Sequence, residues 1–188
     1  MNDIAREAGA TKPRLYRQFA DKADLYSAVA QRMADEVYTL AVSDFNFLLD
    51  APVSALRHAI TGYADVVGRH PNVFRFLAQS RTTPEDSSAA PPLDIGRDIA
   101  TRFSTVAETI LKSVDADTTG IDYACRAAVG AVLAATDLWL DDQELEPAEF
   151  VDQLSALVWG LLDAFLRRKE IDLDGEEPIF VALARLKG

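Results

Sequence analysis

Between residues 11 and 22 the chain gathers Thr11, Lys12, Arg14, Tyr16, Arg17, Gln18 and Lys22, a set of hydrogen-bond donors with no nucleophile or metal ligand among them. Such groups suit anionic oxygens and the edges of base pairs. Lys and Arg neutralise phosphates, and short polar side chains at the start of a helix reach into a major groove. Thr11 and Lys12 stand at that start, with Tyr16 and Lys22 better placed for phosphates. Arg14 suits either a bidentate contact to guanine or a phosphate, and Arg17 lies on the same outward side.

The elements that must hold these donors are two short helices in IAREAGATKPRLYRQFADKADLY. The first runs from Asn2 to Ala8 and stops at Gly9, where a left-handed turn costs little. Thr11 caps the second, Pro13 sits in its first turn where a missing N–H does no harm, and the helix ends near Phe19. Ile4 and Ala8 are expected to face Leu15 and Phe19, with Ala5 and Ala8 small enough for a close crossing. Two helices joined by a short glycine-containing turn form the geometry of a helix-turn-helix.

A net charge of −11 would by itself argue against a nucleic-acid partner. Its distribution reverses the argument. Residues 1–22 carry five basic and three acidic side chains, whereas residues 41–188 carry 13 basic and 24 acidic. A basic tip on an acidic body orients a protein on DNA and keeps the remainder away from it.

Beyond the tip, apolar residues recur at three and four and no sustained alternation appears, so the fold class is all-α. Asp21 opens a long helix to about Asp44, and Pro52 opens another to about Arg69. Pro71 starts a short one. Residues 81–92, RTTPEDSSAAPP, read as an exposed loop. Helices follow over Leu93–Val114, Thr119–Leu140 and Pro147–Arg168, with a short one near the end. The expected division is a head over 1–44 and a body over 45–188.

Residues 1–30 resemble the DNA-binding signature of the TetR family of one-component transcriptional regulators, and the number and length of the later helices resemble that family's ligand-binding and dimerisation domain. The resemblance implies that Thr11, Lys12, Tyr16 and Lys22 contact a double-stranded DNA operator, while Arg14 stands where the family commonly has a small residue. It also implies one further helix before the motif. Met1 falls where the second helix would begin, so either this chain omits a segment or the protein has lost that helix; the chain as it stands is expected to bind DNA poorly, and its parent protein to bind it well.

The same resemblance implies a homodimer and a small hydrophobic effector. The dimer contact is expected from Ala127, Gly130, Ala131 and Ala134 on one long helix and Leu154, Leu157, Val158, Leu161 and Phe165 on the next. Tyr63, Phe74, Phe103, Tyr123 and Trp139 are expected to line an apolar pocket; Trp159 could belong to pocket or interface. The implied function is a repressor released from a pseudo-palindromic operator by an apolar or aromatic molecule, and the rival is a helical binding module that no longer touches DNA.

Other chemistry finds little support. Cys125 is the single cysteine and the two histidines, His58 and His70, share no ligand spacing with it. The acidic stretch Asp141–Glu149 lacks the glycine and alternating ligands of a calcium loop. Neither a nucleophile motif nor a phosphate cradle accompanies Asp115 and Asp117, so neither an enzyme nor a cofactor is expected. No signal peptide or eighteen-residue apolar run occurs, which points to the cytoplasm and away from a membrane.

Overall fold

The computed structural model describes residues 2–43, 46, 49–79, 95–141 and 144–186. Every regular element among them is a helix: α1 (Asn2–Glu7), α2 (Lys12–Gln18), α3 (Lys22–Val42), α4 (Pro52–Arg69), α5 (Pro71–Gln79), α6 (Ile95–Lys112), α7 (Ile121–Asp141), α8 (Pro147–Arg167) and α9 (Ile179–Leu186). The loop expected over 81–92 lies outside the described residues.

Helix ends follow from local chemistry. Proline at the first turn opens α2, α4 and α8, where no intrahelical N–H is lost. At the end of α1, Gly9 takes φ +59°, the Ala10 N–H donates to the Ala5 carbonyl at 2.9 Å and the Gly9 N–H to that of Arg6 at 3.2 Å. That pair of bonds is a Schellman closure. Two further closures use residues with a side chain. Asp115 (φ 55°) ends α6, and Glu170 (φ 60°) follows α8, with Ile171 returning its N–H to Leu166 and burying its side chain beside it.

The body is organised around α4, α7 and α8. One core joins Ile60 and Ala64 of α4 to Ala128 of α7 and Phe150, Val151, Leu154 and Val158 of α8. A second joins Ala34 and Val37 of α3 to Tyr63, Val66 and Val67 of α4 and Ile99 of α6. The second half of α3, the connecting helix of the expected 1–44 unit, therefore packs in the body's core. A third core, at the other end, holds Leu111, Ile121, Cys125 and Ile171. Burial, reinforced by the charge of Asp122, pushes the Cys125 thiol up to about 11, which suits a small packed residue.

Candidate nucleic-acid interface

In the head, Ala5 and Leu15 are buried against each other's helices and Ile4 and Phe19 are half-buried, which fixes the crossing of α1 and α2. Ala8, expected in that contact, is exposed instead. It lies in the closing turn before Gly9, past the last residue of α1, so its side chain has left the helix face. Thr11, Lys12, Arg14, Tyr16, Arg17 and Gln18 are all exposed. Thr11 is the residue before α2, and its exposed hydroxyl oxygen accepts no capping bond from the helix. Lys12 holds its ammonium 5.8 Å from the centre of the Tyr16 ring, one turn further along.

Lys22 is the first residue of α3, and the backbone there is pinned. The Asp21 carboxylate accepts the Asp24 N–H at 2.8 Å, and the Asp24 carboxylate accepts the Ala20 N–H at 2.9 Å. Two carboxylates at a helix start also complement its dipole. An exposed basic side chain thus leaves a fixed backbone beside the end of α2. The arrangement offers a contiguous donor surface made from α2 and the first turn of α3, with the small head core behind it.

In the body, four of the five aromatic residues singled out in the sequence converge on the second core. Tyr63 is buried, its ring edge-on to Phe74 at 6.1 Å, and its hydroxyl pairs with Thr136 Oγ1 at 2.7 Å. Thr136 in turn donates to the Val132 carbonyl, which leaves Tyr63 as the donor in the pair. Burial raises the phenol's pKa well above its ordinary value. Phe103 packs in the same core and lies 6.0 Å from the Tyr38 ring. Trp139 stacks on Phe150 at 4.3 Å and donates to the Leu145 carbonyl. Tyr123 does not join them: it is 82% exposed, on the opposite face of α7.

A separate cleft of about 360 Å³ lies between the end of α8 and residues 172–175, lined by Trp159, Asp163, Arg167, Asp174 and Arg185 among others. None of the five predicted pocket residues lines it. Trp159 presses on Gly175, where a Cβ would stand 2.9 Å from the indole.

The small residues of α7 expected at a dimer contact, Ala127, Gly130, Ala131 and Ala134, are exposed along one stripe with Tyr123 at one end and Leu138, 74% exposed, at the other. Leu157 of α8 is 70% exposed. The remaining α8 residues expected there face inward to differing degrees. Leu154 and Val158 are 3% exposed, used up in the chain's own core, while Leu161 and Phe165 pack against the first and third cores. The outward face of α8 is instead Ala156, Leu157, Gly160 and Ala164. The reason is that α8 touches both α4 and α7, so its broad apolar stripe turns mostly inward.

An all-helical body carrying a helix-turn-helix whose outward side chains are donors defines a DNA-binding regulator. The comparisons with known proteins agree. Residues 1–29 match the profile of bacterial regulatory proteins of the tetR family, and residues 45–172 match the tetracyclin repressor-like C-terminal domain. The chain belongs to the TetR family of transcriptional regulators. An uncharacterised helix-turn-helix transcriptional regulator of Mycobacterium tuberculosis is 29% identical over 165 residues, covering 86% of this chain and 68% of that protein. The transcriptional activator FasR of Mycolicibacterium smegmatis is 28% identical over 166 residues, covering 85% and 72%. A crystal structure of a tetR-family regulator from Streptomyces coelicolor superposes with a TM-score of 0.64 at 22% identity, over 98% of this chain and 77% of that one, and so shares the fold.

Proposed function

We propose that this regulator works as a homodimer that reads a pseudo-palindromic operator through α2 and the start of α3, and that a small apolar or aromatic molecule in the body controls the reading. The observation that carries the proposal is the pairing of two unsatisfied surfaces. One is the donor face of Thr11, Lys12, Arg14, Tyr16, Arg17 and Lys22. The other is the apolar face of α7 and α8.

That second face explains an oddity of composition. α7 is, by length and composition alone, apolar enough to cross a membrane, yet only 28% of its apolar window is buried in the single chain. Its inner face packs on α6 and α8. Its outer face, Tyr123 to Leu138, is lined by alanine and glycine, which let another helix approach closely. A second copy meeting it with Leu157 and Gly160 of α8 builds a four-helix bundle, and a two-fold axis then presents two heads to successive major grooves. A cytoplasmic location fits such a partner.

For the effector, the convergence of Tyr63, Phe74, Phe103 and Trp139 supports an apolar or aromatic ligand, with the paired Tyr63 and Thr136 hydroxyls as a polar handle. Binding there acts on α3 directly, because Ala34 and Val37 share that core. Release from the operator, hence repression, is the first reading. The name of the FasR relative favours a second, activation, through the same movement.

The test is selection of bound duplexes from a random-sequence pool, followed by gel shift of the recovered sequence. A two-fold-symmetric site bound by two chains is expected, with affinity that falls steeply with salt. Binding without sequence preference, or a 1:1 complex on an asymmetric site, would overturn the reading.

A further inference from the structure

Away from both surfaces, one arginine ties together elements distant in the chain. Arg102 of α6 places Nη2 2.8 Å from Asp35 of α3 and 3.0 Å from Asp98 one turn earlier on its own helix. Its guanidinium lies 5.1 Å from the centre of the Tyr38 ring, also on α3. The arginine holds the Asp35 carboxyl below its ordinary range, helped by the Gln31 amide. On its other side α3 meets α4, where Leu40 rests on Gly62 so closely that a Cβ there would stand 2.9 Å from the Leu40 Cβ. One further ion pair, Arg69 to Glu36 at 2.9 Å, joins α4 to α3.

These contacts lie unevenly along α3. Leu40 is five residues from Asp35 and eighteen from Lys22. At 1.5 Å per residue those separations are about 7.5 Å and about 27 Å. A helix pivoting where Leu40 meets Gly62 therefore moves its Lys22 end between three and four times as far as Asp35. A shift of about 1 Å at Asp35 becomes one comparable with the 3.4 Å rise of a base pair at the head.

We propose that Arg102 is a positioning residue: by clamping Asp35 and Tyr38 it fixes the tilt of α3 about the Leu40–Gly62 contact, and so sets where the DNA-reading head stands. Its own anchorage suits the role. Asp98 holds the guanidinium on α6, so a displacement of α6 reaches α3 through this side chain in addition to the Ile99 and Phe103 packing contacts. Ion pairs this exposed are weak singly, which makes the clamp releasable. The consequence for DNA rests on the proposed function above, but the clamp does not.

The test is a distance measurement needing neither DNA nor effector. Nitroxide labels are placed at Ala28→Cys on α3 and Thr109→Cys on α6, both exposed positions. Buried Cys125, with its raised pKa, does not compete for label. Labelled chains are diluted with unlabelled ones, so that pulsed electron–electron resonance records intrachain distances alone. Arg102→Ala and Asp35→Asn are each expected to broaden the distribution or shift its mean by about 2 Å, since residue 28 lies between two and three times as far from Leu40 as Asp35 does and the release at Asp35 is about 1 Å, with helical circular dichroism unchanged. Arg102→Lys, which keeps the charge but cannot fork between two carboxylates, is expected to fall between Arg102→Ala and the parent. Distributions for Arg102→Ala and Asp35→Asn that superimpose on the parent's would overturn the proposal. So would an Arg69→Ala shift as large as that of Arg102→Ala. Failure to select an operator leaves this outcome untouched, so the two readings fail separately.

Discussion

The head and the body solve opposite problems with the same kind of element. Among the described side chains of α1 and α2, Ala5 and Leu15 are buried, and most of α2 faces outward. α4 alone buries Pro52, Ile60, Tyr63, Ala64, Val66 and Val67. The head spends its surface on donors and buries little apolar area. The body spends its surface on packing and leaves an apolar stripe of α7 and α8 uncovered. A region that must recognise something retains its polar groups, and a region that must hold a shape consumes its apolar ones.

The sharpest way to break that comparison is to delete a core side chain in each region. Leu154→Ala in the body is expected to lower the unfolding free energy by about 2–5 kcal/mol in urea titration. Leu15→Ala is expected to abolish operator binding while the body's urea midpoint stays in place. A matching fall in that midpoint would show the two regions to be one cooperative unit.

Next in size is the uncovered stripe. Leu157→Glu puts a charge at the centre of the proposed bundle, and sedimentation is expected to show monomers whose helical circular dichroism is retained. Dimers at micromolar concentration would move the interface elsewhere. A smaller effect is expected at the end of α8: Glu170→Gly relieves a left-handed backbone and should add about 0.5–1 kcal/mol to stability. An unchanged midpoint would mean that the Ile171 anchor already absorbs the strain. Smallest of all, Lys22→Ala should reduce the slope of log affinity against log salt by about one unit, equally on all sequences. An unaltered slope would remove Lys22 from the phosphate contacts.

Much of this architecture was legible in order along the chain. Pro52, Pro71 and Pro147 open their helices where the sequence placed them, because proline lacks the N–H that a first turn does not use. Gly9 marks the end of α1 for the same kind of reason, since its backbone reaches a left-handed turn without strain. The donors of α2 were legible too, because no packing requirement explains so many exposed basic and hydroxyl groups on a seven-residue helix. Asp115 and Glu170 were not. Nothing in an acidic side chain announces a positive φ, which the surrounding packing imposes.

What the sequence determined by itself is therefore local: the helices, most of their ends, the basic tip, and the family these imply. Only the tertiary structure decided facing. The apolar stripe of α8 is broader than one contact, so its pattern could not tell Leu154 and Val158, which turn toward α4 and α7, from Leu157, which turns away. Tyr123 is as aromatic as Tyr63, yet one points outward and the other is locked to Thr136. The Arg102 clamp was invisible for the same physical reason. A 3.6-residue period records that a helix has two faces, and only its neighbours determine which groups meet across them.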